Sequence, residues 1–170
     1  EMSLFQDTDL PNIIELKHVD QSYDGGESYI IQDLNFLIEN KPEQGEFAVI
    51  LGMSGCGKST ILRYIAGLQQ PTDGKVLING EPVSKEGRVS MVFQRYPSLP
   101  WLTVLENVMM PMNYCGTYRG KRQQRAMEVL EMVDVPDIAD KYPSQISGGQ
   151  QQRAAIARAL VNDPALIVGD

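Results

Sequence analysis

Nine consecutive residues, Gly52-Met53-Ser54-Gly55-Cys56-Gly57-Lys58-Ser59-Thr60, constrain this chain more than any other stretch. They fit the pattern G-x-x-x-x-G-K-[ST], and their surroundings supply the context that the pattern needs. Before them, Glu46-Phe47-Ala48-Val49-Ile50-Leu51 reads as a short buried strand. After them, Ile61-Leu62-Arg63-Tyr64-Ile65-Ala66 has helical apolar spacing that stops at Gly67. Glycines let the backbone take positive φ, so successive N–H groups close around phosphate oxygens at the positive end of a helix. On this reading Lys58 reaches the β- and γ-phosphates of a nucleotide and the Ser59 hydroxyl ligates Mg²⁺. The rival, a glycine-rich turn carrying a surface lysine, is disfavoured once the flanking strand and helix are counted.

Length and composition bound the rest. A chain of 170 residues with 42% hydrophobic content is the size of one ordinary domain with a real core. No apolar run is long enough to cross a bilayer. Residues Glu1 to Asp9 are acidic and lack the basic start and apolar core of a signal peptide, which makes the cytoplasm the default. A net charge of -7 argues against holding nucleic acid by bulk electrostatics. Arg119, Lys121, Arg122 and Arg125 cluster locally, and on a helix such a cluster reads first as a solvated face. Cys56 and Cys115 form no disulfide or metal-ligand spacing and read as reduced thiols.

Taken in order, the chain begins with strand material. Ile13 to Val19 is a first strand, Asp24-Gly25-Gly26 a turn, and Ile30-Ile31 leads into the alternation Leu34, Phe36, Ile38. Tyr23 precedes the turn, where its ring is placed either to stack on a base or to sit half-buried at a strand end. Beyond Gly67, Pro71-Thr72-Asp73-Gly74 reads as a turn, Lys75 to Ile78 as a strand, and Asn79-Gly80 as a tight hairpin turn. A further strand, Arg88 to Phe93, ends at Gln94.

The character then changes to helical. Thr103 to Glu106 has a helix-start pattern, Arg122 to Val133 an amphipathic one, and Met109, Met110 and Met112 read as adaptable packing. Trp101, the only tryptophan, suits either a core or an interface. Ser147-Gly148-Gly149-Gln150 has capping-box spacing ahead of the alanine-rich run Ala154 to Leu160, which makes it a capped helix start and a second possible anion site. Ala165-Leu166-Ile167-Val168 reads as a short buried strand ending at Gly169-Asp170, where an acid is placed to hold Mg²⁺ through water.

Assembled, these pieces resemble the nucleotide-binding subunit of an ATP-binding cassette (ABC) transporter, from about Ile13 to Asp170. The family's ordered motifs stand here as Tyr23 for the base-stacking loop, Gly52 to Thr60 for Walker A, Gln94 for the Q-loop, Ile146 to Gln150 for the signature, and Leu166 to Asp170 for Walker B. The resemblance implies an α/β fold: a P-loop NTPase (RecA-like) core with an antiparallel β subdomain and an α-helical signature subdomain. It divides the chain as residues 1–94 (antiparallel β and phosphate-loop core), 95–146 (helical subdomain) and 147–170 (signature helix and Walker B strand), one partial domain in all. It implies ATP and Mg²⁺ as cofactors, with Tyr23, Gly52 to Thr60, Ser147, Gly148, Gly149 and Gln150 on the nucleotide. Ser59, Gln94 and Asp170 would serve the metal, and Gln94 would sense the γ-phosphate.

The same resemblance implies partners. Two such subunits pair head to tail, each ATP lying between the phosphate loop of one and the signature of the other. Transmembrane permease subunits dock on the helical subdomain, a solute-binding protein contributes indirectly, and no nucleic acid is expected. The subunit would be peripheral on the inner face of the cell membrane. Ser98 to Val108 is similar to importers of nitrate, sulfonates and taurine.

Two departures stand out: Ile146 replaces the usual signature leucine, and Gly169 interrupts the apolar run before Asp170. The family's general-base glutamate would follow Asp170, and His18 in the first strand does not match its later switch histidine. The expectation is a chain truncated at the Walker B aspartate, inactive alone, with part of the core sheet missing. The rival readings are a soluble ABC-type ATPase acting on nucleic acid or a protein assembly, and a non-catalytic remnant.

Overall fold

The computed structural model describes residues 10–41, 45–83, 89–93, 97–115 and 120–170. They fall into two compact units divided between Lys85 and Glu86.

The first unit is built on an antiparallel sheet of β1 (Ile14–Gln21), β2 (Ile31–Ile38), β3 (Asp73–Ile78) and β4 (Glu81–Pro82), in the order β2-β1-β3-β4. The central strand β1 buries Ile14, Leu16 and Val19, so the period-2 pattern sets which face meets the core. Asn79 and Gly80 both take positive φ, 50° and 78°, as a two-residue hairpin turn between twisted strands requires. One turn expectation needs correcting, since Asp73 and Gly74 already belong to β3. Gly74 faces a bulge in β1, where a Cβ would stand 2.3 Å from the His18 carbonyl oxygen, so only glycine fits. Helix α1 (Lys58–Ile65) completes the unit and buries Tyr64 and Ile65.

A second correction concerns Glu46 to Leu51, which is not a buried strand. Among the described residues this segment pairs with no strand, and Phe47 and Leu51 are 92% and 87% exposed. The sheet around β1 does not include it, and an apolar run without ladder partners has nothing to bury it.

The second unit has a parallel pair, β5 (Val89–Val92) and β6 (Leu166–Gly169), with Val92 opposite Gly169. Gly169 therefore stays in register, and the Asp170 N–H extends the ladder to the Val92 carbonyl at 3.0 Å. Only Val168 of β6 is buried, so the strand is less enclosed than its composition suggests. Parallel neighbours need a long crossover. Here it is a helical layer of α2 (Val104–Cys115), α3 (Arg122–Met132) and α4 (Gly148–Leu160). Val108 and Met112 of α2, Val129 and Leu130 of α3 and Ala154 and Ala157 of α4 form one buried cluster around Ile138. The alanines let α4 approach its neighbours closely. Strand β5 belongs to this unit through its pairing with β6.

Helix α2 starts at the expected place: Glu106 accepts from the Thr103 N–H at 2.8 Å and the Thr103 hydroxyl accepts from the Glu106 N–H at 3.2 Å. Below that cap lies Asn107, fully buried. Its amide donates to the carbonyls of Leu99 (3.1 Å), Leu102 (3.1 Å) and Thr103 (2.9 Å), and its oxygen accepts from the Leu99 N–H at 2.8 Å. One side chain thus fixes the loop that presents Trp101, itself 68% exposed. Asn107→Ala would remove four part-buried hydrogen bonds at once and should cost about 2–3 kcal/mol in urea denaturation; a loss below about 0.5 kcal/mol, typical of a surface change, would contradict this role.

Candidate nucleotide-binding site

The glycine loop adopts the conformation its composition allows. Gly55 and Gly57 have φ of 81° and 97°, and Gly57 is the N-cap of α1 with no side chain capping the helix. Gly57 is also held by space, because a Cβ there would stand 3.1 Å from the Ile31 side chain. The first helical bond runs from the Ile61 N–H to the Gly57 carbonyl at 3.0 Å, so the N–H groups before it have no acceptor within the helix. No acid lies in the first turn. The Lys58 ammonium curls back over the loop, donating to the carbonyls of Gly52 (2.9 Å) and Met53 (2.6 Å), with Cys56 Sγ 3.8 Å away. Residues 52–56 are exposed and 57–60 half-buried, and Cys56 is a free thiol. A helix start with no side-chain cap, a lysine folded over the loop and no acid in the first turn suit a polyphosphate.

Tyr23 gathers at the same end of the sheet. Ile31, against which Gly57 rests, pairs with Gln21, and the Ile30 N–H donates to the Gln21 carbonyl at 2.9 Å. The Tyr23 ring is 63% exposed, open to a flat partner. Its loop is braced by Asp24, which accepts from the Ser28 hydroxyl, from the Ser22 hydroxyl at 2.7 Å and from the Ser28 N–H at 2.9 Å. The Ser28 hydroxyl and then that of Ser22 hold the Asp24 carboxyl well below the usual carboxylate range.

Behind these residues Tyr64 of α1 is buried and donates its phenol hydrogen to Gln21 Oε1. Burial, with Tyr23 adding charge repulsion, pushes this phenol up to about 12. Gln21, Tyr64 and Gln69 were not legible as site residues from sequence, because a glutamine in a strand or after a helix carries no local signal of its tertiary partner.

In the second unit, Ser147 and Gln150 form the expected capping box at the start of α4: the Ser147 N–H donates to Gln150 Oε1 (3.0 Å) and the Gln150 N–H to Ser147 Oγ (3.3 Å). Nothing lies within 4 Å of where a Cβ on Gly148 or Gly149 would stand, so this turn is open to an approaching group. Asp170 is exposed at the end of β6. Gln94 lies outside the described residues. Tyr23 and the glycine loop thus lie in the same unit, whereas Ser147 to Gln150 and Asp170 belong to the other. Of the basic cluster, Arg125 pairs with Glu128 and Asp163 and Arg122 with Asn113, while Arg119 lies outside the described residues.

Residues 32–170 match the sequence model of the family described as ABC transporter. The chain belongs to the ABC transporter family. An uncharacterized ABC transporter ATP-binding protein of Thermotoga maritima is 44% identical over 173 residues, covering 95% of this chain and 72% of its own length. The spermidine/putrescine import ATP-binding protein PotA of Haemophilus influenzae is 41% identical over 162 residues, 93% of this chain and 42% of that protein. The Fe(3+) ions import ATP-binding protein FbpC of Escherichia coli O157:H7 is 40% identical over 163 residues, 94% and 45% of the respective chains. This chain therefore spans less than half the length of these two import proteins. Among solved structures, the dimeric ATP-binding cassette MJ0796 bound to ADP and Pi superposes with a TM-score of 0.77 at 38% identity, covering 92% of this chain and 73% of that one. The cassette cbiO1 of Clostridium perfringens gives 0.80 at 25% identity, over 94% and 65%.

The fold is accordingly that of an ABC ATPase cassette of the P-loop NTPase class, mixed α/β with an antiparallel sheet. No described helix is long and apolar enough to cross a membrane.

The Tyr64 phenol sets a pH dependence. Its folded value lies above the ordinary 10.0, so the folded chain binds the proton more tightly. Its contribution is complete below about pH 10 and is lost as the pH rises towards 12. Thermal unfolding of wild type and Tyr64→Phe should therefore differ least at the alkaline end, the wild type losing stability more steeply from pH 10 upward; parallel pH profiles would contradict the assignment.

Proposed function

We propose that the intact protein is the ATP-hydrolysing subunit of an ABC importer for a small solute. The observation that carries this is the pairing, in one chain, of a polyphosphate-ready loop at Gly52 to Thr60 with an open, capped signature turn at Ser147 to Gln150. Relatives named for import of spermidine/putrescine and Fe(3+) support the direction of transport.

In this reading Tyr23 stacks on the base, the backbone of Gly52 to Thr60 cradles the phosphates, and Lys58 binds the β- and γ-oxygens. Ser59 and Asp170 would hold Mg²⁺, which when bound neutralises charge on those oxygens, and Gln94 would sense the γ-phosphate. Ser147, Gly148, Gly149 and Gln150 serve the nucleotide of a second copy paired head to tail. Residues 1–94 then act as the nucleotide core, 95–146 as the helical part facing the permease, and 147–170 as signature helix and Walker B strand. Closing on ATP and reopening after hydrolysis would move permease subunits at the inner face of the membrane, with a solute-binding protein engaged indirectly. The segment Ser98 to Val108 favours a nitrate-, sulfonate- or taurine-like solute, although the cargo itself is selected by the permease and binding protein.

Lys58→Ala in the intact protein should weaken Mg-ATP binding by about tenfold or more, since a charge-assisted contact to two phosphates is lost. Calorimetric titration measures it, and unchanged affinity would refute the role of Lys58.

A further inference from the structure

A chain of hydrogen bonds runs from the helix behind the phosphate loop to the exposed ring of Tyr23. Tyr64, buried on α1, donates to Gln21 Oε1. The same oxygen accepts from Gln69 Nε2 at 3.3 Å, and the second hydrogen of that amide goes to the Tyr23 phenol oxygen at 2.9 Å. Gln21 Nε2 in turn donates to the Ser22 carbonyl at 2.9 Å. The segment carrying Gln69 is itself pinned to β1: the Thr72 N–H donates to the Asp20 carbonyl at 2.9 Å, and the Thr72 hydroxyl accepts from the Ser22 N–H at 3.1 Å and donates to the Ser22 carbonyl at 3.2 Å.

We propose that Gln69, backed by Gln21 and Tyr64, is a positioning residue that fixes the Tyr23 ring at a set place relative to the phosphate loop, so that base and polyphosphate are met by one preorganised surface. The inference rests on the reading of Tyr23 as the base-stacking residue. An exposed tyrosine has two freely rotating side-chain torsions, and freezing them on binding costs affinity. Here the phenol is anchored before any ligand arrives, and the anchor leads through Gln21 to Tyr64 on the helix that Gly57 begins. Both dimensions of the site are thereby referred to one rigid element. The Tyr23 oxygen accepts from Gln69, and the exposed ring keeps a face open to a flat partner.

The test compares ATP with inorganic tripolyphosphate on the full chain by calorimetry. Tripolyphosphate reads the phosphate loop alone; ATP reads loop and ring together. Tyr23→Ala should weaken ATP about tenfold, as expected for loss of a base stack, and leave tripolyphosphate unchanged. Tyr23→Phe and Gln69→Leu should each weaken ATP about fivefold, the worth of one hydrogen bond, again sparing tripolyphosphate. The double variant should be no weaker than Gln69→Leu alone, because that change already cuts the bond that Tyr23→Phe removes. Tyr23→Phe, at an exposed position, keeps the test valid if Gln69→Leu folds poorly. If Tyr23→Ala loses affinity while Tyr23→Phe and Gln69→Leu bind ATP as the wild type does, the ring stacks unaided and the proposal falls alone. If Tyr23→Ala binds ATP normally, the stacking reading falls and takes the proposal with it. Equal losses for ATP and tripolyphosphate in Gln69→Leu would mean general loosening, which also overturns it.

Discussion

The phosphate loop works only if the helix behind it is fixed, and in this chain the fixing is done by Tyr64. Glycines at 55 and 57 let the backbone turn its N–H groups towards a ligand, but the same freedom makes the loop costly to order. Burying Tyr64 and bonding its phenol to Gln21 joins α1 to the central strand β1. The Ile31 side chain leaves no room for a Cβ on Gly57, so the start of the helix lies close to β2. Two strands and one helix thus hold a loop that has little internal structure.

The helical unit solves a different problem. A parallel pair cannot be closed by a short turn, so the chain between β5 and β6 must travel far and still bury its own apolar faces. Three helices do this around one cluster, and the capping box at Ser147 fixes the start of the last of them while leaving clear space beside Gly148 and Gly149. The start of α4 is therefore ordered and open at once. Asn107 plays the corresponding part at the start of the layer, where it ties down an otherwise irregular loop.

Much of this was legible in local chemistry. Asn79-Gly80, Thr103 to Glu106 and Ser147 to Gln150 each carry their geometry in two to four residues, and each forms as read. The glycine loop and its helix were equally plain. What local reading missed depends on partners distant in sequence. Glu46 to Leu51 has the composition of a buried strand, yet a strand needs neighbours, and among the described residues it has none. Gly74 looked like a turn residue because its partner, the His18 bulge, is more than fifty residues away. The glutamines at 21 and 69 gave no sign of joining Tyr23 to Tyr64, since only the folded chain brings those four side chains together.

On the function proposed above, affinity resides in a polyphosphate cradle at Gly52 to Thr60 assisted by the ring of Tyr23. Calorimetric titration of the intact protein with Mg-ATP and with AMP tests it most directly. ATP should bind, and AMP, which keeps the base but lacks the β- and γ-phosphates that Lys58 would engage, should bind at least about a hundredfold more weakly. Equal affinity for the two would contradict it.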